Sequence, residues 1–397
     1  MKSNEACASS LSRLADVAPI VRGLLADRTD SEDMPYRPVI LRSFAGAEAI
    51  EFSRSAQSAE GDRWPAFLRK ADAPPLCVSV SPDDAAAALR EQLQAAVAEH
   101  MSRHGGKPDT VCLRGMGVLQ VEADTGDPRL PLHNKVALVT GAAGAIGYGV
   151  CKGLLENGCH VAATDLPGER LEAFTGELER MAPGRVTGPP LDVTDRESVA
   201  RGFESVILAW GGVDIVVVNA GLALVSTLVE MDLEAFRRLE RVNVEGTLLT
   251  LSEAGRHFIL QGIGGDIVIM STKNVPSPGA GFGAYSATKA ACHQLGRIAS
   301  LEMAQHGVRV NMVAPDAVFA EGTHKSGLWE EVGPARMRAR GLDEKGLQEY
   351  YRSRNLLKAR VTGRHVANAV LFFVTRQTPT TGATIPVDGG LPDATPR

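Results

Sequence analysis

Two residues in the C-terminal half of the chain have types and spacing suited to acid–base chemistry. Tyr285 and Lys289 lie four positions apart, so in a helix they share one face, one turn from each other. A phenol of ordinary pKa, about 10, is a poor base at neutral pH, and lowering that pKa by about 3 requires about 4 kcal/mol of preferential phenolate stabilisation. A neighbouring ammonium and a positively charged ligand in a desolvated cleft can supply it. An isolated Tyr-x-x-x-Lys pair is more often a surface helix pair, so its interpretation depends on its surroundings.

A glycine-rich turn upstream is suited to holding a dinucleotide. Residues 140–147 directly follow a predicted strand and open a predicted helix with Ile146, Val150 and Leu154 on one face. Glycines let the backbone approach a pyrophosphate, and the helix N-terminus supplies free N–H groups and partial positive charge. A plain tight turn is the alternative, but the strand before and the helix after favour a dinucleotide site. We assign to it Gly141, Ala143, Gly144, Ala145, Ile146 and Gly147.

Later strand ends supply the other candidate cofactor residues. Asp165 ends the second predicted strand, 18 residues after Gly147. A carboxylate there can accept both ribose hydroxyls of an adenosine and would repel a 2′-phosphate, so we predict NAD in preference to NADP. A solvated aspartate at a strand end is the alternative. The other positions assigned here are Leu166, Asp192, Val193, Asn219, Ala220 and Gly221.

These residues are positioned by an alternation of short apolar strands and helices from Asn134 onward. The predicted strands are 136–139, 160–164, 215–218, 266–270, 309–313 and 384–387. Strands without polar alternation are buried on both faces, and helical crossovers make them parallel. The sequence therefore predicts an α/β fold, a Rossmann-type doubly wound parallel sheet, over residues 131–397.

Residues 1–130 do not continue this regular alternation of strands and helices. They are predicted to form a smaller α+β appendage, with the boundary in the run 123–128. Short strands are predicted near 39–41, 76–78, 111–113 and 118–121. One helix is predicted from Asp83 to His104, because residues 81–84 offer a cap, a first-turn proline and early acids. His100 and His104 are helically spaced but lack an evident third ligand, so we predict no metal site.

Composition excludes several classes of protein. The 397 residues include 42 Lys and Arg against 47 Asp and Glu, a net charge of −5, which argues against a bulk nucleic-acid binder. No apolar run approaches the about 18 residues of a membrane span, and the polar start lacks a signal-peptide core. The six cysteines form no C-x-x-C pair and are expected to be thiols in a reducing compartment. We expect a cytoplasmic protein without nucleic-acid or membrane partners.

The ordered set of T-G-x-x-x-x-x-G, Asn219-Ala220-Gly221, Asn243, and Tyr285 with Lys289 resembles the short-chain dehydrogenase/reductase family, over residues 134–397. The resemblance implies that Tyr285 is the acid/base and that Lys289 is its pKa partner and binds the nicotinamide ribose. It also implies that Asn243 holds a water in a proton relay. By the same analogy, the chain is expected to form a homodimer or homotetramer.

The chain departs from the family pattern at several positions. The usual catalytic serine, 13 residues before the tyrosine, is Thr272, whose hydroxyl can make the same hydrogen bond to a substrate oxygen. Ser271 beside it would point to the opposite side of an extended strand end. The central glycine of the turn is Ala145. The usual Pro-Gly after the sixth strand is Pro315-Asp316, and Val318 could still offer its backbone to the carboxamide, so Pro315 and Val318 join the candidate cofactor residues.

Several motifs are similar to those of a narrower group, the dehydrogenase half of bifunctional rhamnulose-1-phosphate aldolase/lactaldehyde dehydrogenases. They are 271–274, 315–318, 326–329, 349–352, 355–358 and 385–390. Residues 14–23 and 114–118 resemble the latter part of the aldolase half, but the upstream zinc-binding histidines have no counterpart. The resemblance therefore implies a structural remnant without aldolase activity.

Residues 319–360 form a long insertion where this family carries its substrate lid. Between Gly322 and Arg360 there are nine Lys or Arg and five acids, a local charge of +4. This excess fits a funnel for an anionic substrate, such as a phosphorylated or nucleotide-linked sugar. A solvated helical face or a subunit contact is the competing interpretation. Replacing Arg352 and Arg354 would distinguish the two.

Three functional hypotheses follow. The first is an NAD-dependent oxidoreductase that interconverts a hydroxyl and a carbonyl on a small polyol or sugar-like substrate. The second is a biosynthetic ketoreductase or dehydrogenase acting on a phosphorylated or nucleotide-linked sugar or cyclitol. The third is a catalytically dead NAD-binding protein, which the departures at Ala145, Thr272 and Asp316 keep open.

Overall fold

The chain divides into two compact units, which are described separately. A computed structural model describes residues 2–55, 64–70, 73–81, 84–123, 126–320 and 324–394. The first unit is Met1–Gly126 with two later segments, Phe203–Val213 and Arg256–Ile263. The second unit is Asp127–Gly202, Asp214–Gly255 and Gly264–Arg397. Of the run 123–128 in which a boundary was predicted, Asp124 and Thr125 lie outside the described residues.

The second unit is built on a seven-stranded parallel sheet. Its strands are β7 (Val136–Val139), β8 (His160–Ala163), β9 (Val186–Thr187), β10 (Ile215–Val218), β11 (Gly265–Met270), β12 (Val308–Pro315) and β15 (Thr384–Val387). They are ordered β15-β12-β11-β10-β7-β8-β9, and each neighbouring pair is parallel. Because β7 is followed by β8 on one side and pairs with β10 on the other, the strand order reverses there, which is where open α/β sheets bind ligands. The prediction of a doubly wound parallel sheet is confirmed.

Helices connect these strands, and two of them lie within the insertion that precedes the last strand. They are α4 (Ala145–Glu156), α5 (Glu169–Met181), α6 (Arg196–Trp210), α7 (Leu233–Glu240), α8 (Gly246–Gln261), α9 (Gly283–Glu302), α10 (Gly327–Arg340), α11 (Glu344–Arg354) and α12 (Gly363–Val374). A π-helical turn, Arg241–Glu245, links α7 to α8. Two short strands, β13 (Val318–Phe319) and β14 (Val361–Thr362), pair in parallel at the two ends of the insertion.

The main core fills the space between this sheet and helices α4, α5 and α12. The sheet residues of β7, β8 and β10 are buried along their whole length, as expected for strands covered on both faces. Helix α12 crosses α4 at unusually short range, since a Cβ added to Gly149 would lie 2.3 Å from the carbonyl carbon of Gly363. The two glycines therefore allow the backbones to touch, which fixes α4 and the turn that precedes it.

The first unit contains an antiparallel-rich sheet with three helices. Its elements are α1 (Lys2–Leu25), β1 (Asp27–Arg28), β2 (Tyr36–Arg37), β3 (Leu41–Phe44), α2 (Ala47–Ser55), β4 (Leu76–Val78), α3 (Ala86–His104), β5 (Thr110–Leu113) and β6 (Gly117–Val121). The four-stranded sheet has the order β3-β6-β5-β4, with only the β4–β5 pair parallel. No described helix combines the length and apolar character needed to cross a bilayer.

Local predictions in the first unit were only partly correct. Helix α3 begins at Ala86, not Asp83, because Ser81 and Asp84 bond to each other in a separate turn and Ala85 occupies the cap position. Pro82 and Asp83 of the predicted cap lie outside the described residues. The strand expected at 39–41 is shifted to Leu41–Phe44, where it pairs with β6. The 24-residue helix α1 was not predicted.

Candidate active site

A cavity of about 440 Å³ opens at the carboxyl ends of the central strands of the second unit. Residues following β10, β11 and β12 form its floor, α9 forms one wall, and α10 and α11 form another. The lining includes these sequence-predicted residues: Ile146, Asn219, Gly221, Thr272, Tyr285, Lys289, Pro315 and Val318. Residues from, or directly after, six separate strands and helices therefore meet at the edge where the sheet topology predicts a ligand.

Tyr285 lies in the first turn of α9, with its phenol buried at this cavity. Only 7% of the residue is exposed, and its side chain is hydrogen-bonded to that of Thr272. Burial raises the pKa of Tyr285 to about 12, and the hydrogen bond from Thr272 works in the opposite direction. Without a ligand, the phenol of Tyr285 is therefore neutral. For Tyr285 to act as a base, its pKa must be lowered by positive charge that the protein itself does not supply.

Lys289, one turn further along α9, lies inside the cavity and not in bulk solvent. It is buried, and its Nζ donates a hydrogen bond of 2.9 Å to the carbonyl oxygen of Met270. Burial lowers the pKa of this ammonium. A Cβ added to Gly221 would lie 3.1 Å from Nζ, so the absence of a side chain at position 221 leaves the room that the lysine occupies.

Asn243 is fully buried in the π-helical turn Arg241–Glu245. Its Oδ1 accepts a 2.9 Å hydrogen bond from the Leu222 amide, and its Nδ2 donates to the Leu222 carbonyl oxygen and to Thr288 Oγ1, each at 3.0 Å. Single π-helical turns inside α-helices occur frequently at functional sites. Here the turn lets one amide tie the segment after β10 to helix α9.

The two adjacent hydroxyls at the end of β11 face different partners. Ser271 Oγ lies 3.0 Å from His293 Nδ1 on α9, whereas the Thr272 side chain is hydrogen-bonded to Tyr285. The structure thus places the two side chains on opposite sides of the strand end. Of the two, Thr272 is the one that can share a substrate oxygen with the phenol.

The glycine-rich turn gives α4 an N-terminus without a side-chain cap. Its cap residue is Gly144, which has no side chain to satisfy the first-turn donors. The Ala145 amide donates at 3.2 Å to the carbonyl oxygen of Lys325. A Cβ added to Gly147 would lie 2.2 Å from the Ala142 carbonyl oxygen, so this position requires glycine for packing. Such a turn accommodates a pyrophosphate without side-chain obstruction.

Asp165 follows β8 and is hydrogen-bonded to the glycine-rich turn. Its Oδ2 accepts 3.0 Å from the Ala143 amide and its Oδ1 accepts 2.8 Å from the Leu166 amide. Arg170 donates to the Ala143 carbonyl oxygen from Nε at 2.9 Å and from Nη2 at 2.6 Å. Sequence reasoning missed Arg170, because an arginine in a helix carries no signal of its target.

The other predicted cofactor residues occupy the same strand-end edge. Asp192 Oδ1 accepts from the amide and hydroxyl of Thr194, at 2.9 and 2.7 Å, and Val193 is buried. Asn219 Nδ2 donates to the carbonyl oxygens of Thr140 and Gly141, at 3.0 and 2.7 Å. These side chains organise the loops after β7, β9 and β10.

Charged residues of the insertion divide into a cavity set and a surface set. Arg336, Arg340 and Arg354 line the cavity together with Lys273. Arg352, which the sequence grouped with Arg354, does not line it. Its side chain is 38% exposed and paired with Glu349 at 2.7 Å. The excess of positive charge in residues 319–360 indicated that the insertion carries a group of cations. The sequence could not show which of them line the cavity.

No group of three or more His, Cys, Asp or Glu side chains suited to a metal occurs among the residues that the structure describes. The His100 and His104 rings lie 4.7 Å apart between centroids.

Comparison with known proteins adds a family to this geometry. A family model described as short chain dehydrogenase matches residues 135–331. An uncharacterized oxidoreductase, YuxG of Bacillus subtilis, is 37% identical over 272 residues, covering 68% of this chain but 39% of the YuxG chain. Sorbitol dehydrogenase of Cereibacter sphaeroides is 36% identical over 50% of this chain and 75% of its own.

A solved structure has the same fold. The crystal structure of sorbitol-6-phosphate 2-dehydrogenase SrlD from Erwinia amylovora aligns with a TM-score of 0.59 at 27% identity, covering 64% of this chain and 98% of that one.

Proposed function

The chain belongs to the short-chain dehydrogenase family, and from this premise we propose that it is an NAD-dependent oxidoreductase that interconverts a hydroxyl and a carbonyl on a small polyol or sugar-like molecule. The observation that carries this proposal is the buried hydrogen bond between Tyr285 and Thr272 in a cavity that also contains Lys289. Relatives with named polyol substrates, such as the sorbitol dehydrogenase, support the substrate class.

The residues at the sheet edge fit a dinucleotide. The backbone turn Gly141–Gly147 would hold the pyrophosphate, Asp165 and Leu166 the adenosine ribose, Asp192 and Val193 the adenine side, and Lys289 the nicotinamide ribose. Asn219, Ala220 and Gly221 would flank the nicotinamide half, with Pro315 and Val318 beside the carboxamide. Bound NAD supplies the acceptor for the hydride that leaves the substrate carbon.

The protein's own part in the reaction is to hold the reacting oxygen and move one proton. Thr272 and Tyr285 would both hydrogen-bond the substrate hydroxyl. In oxidation the Tyr285 Oη takes the hydroxyl proton as the carbon–hydrogen bond breaks, and in reduction it returns that proton to the carbonyl oxygen. Lys289 stabilises the phenolate electrostatically within a cavity largely screened from water. Asn243 positions the backbone at Leu222 and helix α9, and we propose that it also holds the water of a proton relay.

Activity with a panel of neutral and charged polyols tests the proposed reaction. We expect purified protein to reduce NAD in the presence of at least one polyol and to oxidise NADH with the matching ketose. The contrary result is a protein that binds NAD but converts none of the polyols, and whose behaviour Tyr285→Phe does not change. That result would contradict the proposed reaction and favour a catalytically dead nucleotide-binding protein.

The cofactor preference rests on Asp165. Asp165→Asn removes a negative charge beside the adenosine ribose while keeping an oxygen that can accept from the Ala143 amide. Since like charges placed together cost several kcal/mol, we expect the NAD-over-NADP ratio of kcat/KM to fall about 100-fold. Steady-state kinetics with both cofactors measures this ratio.

Glu172→Gln is the matched control, because Glu172 is an exposed acid on the neighbouring helix α5. It should leave the ratio unchanged. An Asp165→Asn protein with the same ratio as the unmodified chain would show that the carboxylate does not select the cofactor.

We propose that residues 1–130 are a structural remnant of an aldolase half, as in bifunctional rhamnulose-1-phosphate aldolase/lactaldehyde dehydrogenases, and that residues 131–397 form the catalytic domain. We also propose a homodimer or homotetramer. Leu248 of α8 and Ile298 and Leu301 of α9 support this assembly, because they are large apolar side chains exposed on the surface. Light scattering in solution measures the assembly directly.

A second candidate is oxidoreduction of a phosphorylated or nucleotide-linked sugar or cyclitol. The cations that line the cavity favour it.

A further inference from the structure

Four cations line the same cavity as the candidate catalytic residues. We call them the cationic subsite: Lys273, Arg336, Arg340 and Arg354. Lys273 follows β11, directly after Thr272, and the three arginines come from α10 and α11. The cavity can therefore hold a reacting hydroxyl at Thr272 and Tyr285 and also meet a charged group of the same molecule at these cations.

Each arginine of the cationic subsite is held against an aromatic ring. The guanidinium carbon of Arg336 lies 4.6 Å from the Phe282 ring centroid, that of Arg340 lies 4.4 Å from the Tyr350 centroid, and that of Arg354 lies 4.5 Å from the Tyr351 centroid. These contacts stabilise cations through the ring quadrupole. They also fix the side chains before any ligand arrives, which reduces the entropic cost of binding.

Hydroxyl and carboxylate groups add to this positioning. Arg340 Nη2 donates 3.0 Å to the Tyr350 hydroxyl, and Arg336 Nε donates 3.3 Å to the Tyr351 hydroxyl. Arg354 is paired with Asp316 at 2.5 Å. The aspartate in the position of the usual family glycine therefore anchors one member of the subsite.

Two donors of the subsite remain unsatisfied. The Nε atoms of Arg340 and Arg354 are buried and have no hydrogen-bond partner among the described residues. A buried donor without an acceptor costs about 1–3 kcal/mol, and more when it is charged. Both Nε atoms are closed to solvent, so a bound anion would act on these guanidinium groups through their charge and their other nitrogen atoms.

The local charge balance is positive. Five cations line the cavity among the described residues, the cationic subsite and Lys289, against two acids, Asp316 and Asp393, which leaves a formal excess of +3. The cations also affect one another: burial lowers the pKa of Lys273, and Arg354 and Arg336 lower it further. A phosphate monoester carries about −1.5 to −2 charge at neutral pH and presents three acceptor oxygens, which suits a cavity with this excess of positive charge.

We propose that the cationic subsite binds the phosphate ester of a phosphorylated polyol or sugar whose hydroxyl is oxidised at Thr272 and Tyr285. This inference rests on the proposed function of the same cavity and specifies its substrate class. Arginine suits this role because its planar guanidinium binds phosphate oxygens with two donors at once. The exposed cations of the insertion, such as Arg352, belong to the solvated face that was the competing interpretation.

Binding of a matched ligand pair tests the subsite. The probes are sorbitol 6-phosphate and sorbitol, measured by calorimetry on the full chain with NAD present. We expect the ester to bind at least about 100-fold more tightly, equivalent to about 2.7 kcal/mol. Arg340→Gln should weaken ester binding about 10-fold or more and leave sorbitol binding unchanged. Equal affinities for the two probes, or equal losses for both in Arg340→Gln, would overturn the proposal.

Two controls make the result specific. Arg352→Gln removes an exposed cation of the same helix as Arg354 and should leave both affinities unchanged; a loss as large as that of Arg340→Gln would point to general surface charge instead. Gluconate and inorganic phosphate serve as carboxylate and free-anion probes. Gluconate binding as tightly as the ester would contradict a phosphate subsite, whereas weak competition by phosphate alone supports it.

The same measurement in Tyr285→Phe separates this inference from the proposed reaction. The ester preference should persist in that variant, because the phenol is not part of the subsite. Tight ester binding without oxidation by the unmodified protein would support the subsite and overturn the reaction. Oxidation of sorbitol with no preference for the ester would support the reaction and overturn the subsite.

Discussion

Tyr285→Phe is expected to reduce kcat for polyol oxidation by about 10³-fold or more, in line with the about 10²–10⁴-fold contribution of a positioned acid–base group. The substitution removes one hydroxyl and keeps the ring, so the packing of α9 against Leu239 and Phe282 should survive. Thr272 would lose its hydrogen bond to the phenol but still accept one from the Asn274 amide at 3.3 Å. Steady-state kinetics with saturating NAD measures the loss.

Tyr36→Phe is the matched control, since Tyr36 belongs to strand β2 of the other unit. It should leave kcat unchanged. NAD affinity should also change little in Tyr285→Phe, because most of the proposed dinucleotide contacts lie elsewhere. If Tyr285→Phe retained most of its activity, the proton would have to move through another group and the proposed role of the phenol would be wrong.

Lys289→Met is expected to lower kcat/KM at neutral pH by about 10²–10³-fold, the range seen when a single preorganised electrostatic contact is removed. Methionine nearly fills the space of the lysine stem but carries no charge. In the proposed reaction the ammonium lowers the pKa of Tyr285 once NAD is bound, and the substitution removes that effect. The phenolate therefore forms only at higher pH, and the rise of oxidation rate with pH should move in the alkaline direction.

The pH profile of kcat/KM distinguishes this effect from a loss of fold. Lys345→Met, on the exposed surface of α11, provides the matched control and should keep the original profile. A Lys289→Met protein that loses activity by the same factor at every pH would indicate a role in cofactor binding alone.

The parallel sheet could be predicted because most of its strands can be recognised from their own residues. Strands β7, β10 and β15 have the predicted bounds, and β8 and β11 differ from them by one residue at one end. Strand β12 begins one residue earlier and ends two residues later than predicted, and the two-residue strand β9 was not predicted. Buried parallel strands are continuous apolar runs, and the glycine turn after the first one fixes the topology locally. Helix α1 was missed because its signal is tertiary: Leu14, Ile20 and Arg22 are buried, but the arginine interrupts the apolar pattern.

The candidate catalytic residues could be named from motif order, but their electrostatics could not. The sequence suggested a phenol made acidic by its neighbour Lys289. In the structure burial dominates, raising the pKa of Tyr285 and lowering that of Lys289. Desolvation depends on everything packed around a group, which no spacing reveals. The cationic subsite was only partly visible for the same reason, because a charge count cannot separate Arg340 from the exposed Arg352.

Because burial raises the pKa of Tyr285, a bound cofactor must stabilise the phenolate form. Moving the pKa of Tyr285 from about 12 to neutral pH corresponds to about 7 kcal/mol of preferential phenolate stabilisation. Lys289 is already present in the structure and leaves the phenol neutral. We expect the remaining stabilisation from the positive charge of an oxidised nicotinamide, whose attraction for the phenolate is stronger in a cavity from which substrate and NAD exclude water.

The most direct measurement is an ultraviolet difference titration of tyrosinate, unmodified protein minus Tyr285→Phe, with and without NAD. We predict no tyrosinate signal from Tyr285 below about pH 10 in the protein alone, and a signal that appears several pH units lower when NAD is bound. A titration that is unchanged by NAD, or a Tyr285 that already ionises near neutral pH without it, would contradict a buried phenol activated by the bound cofactor.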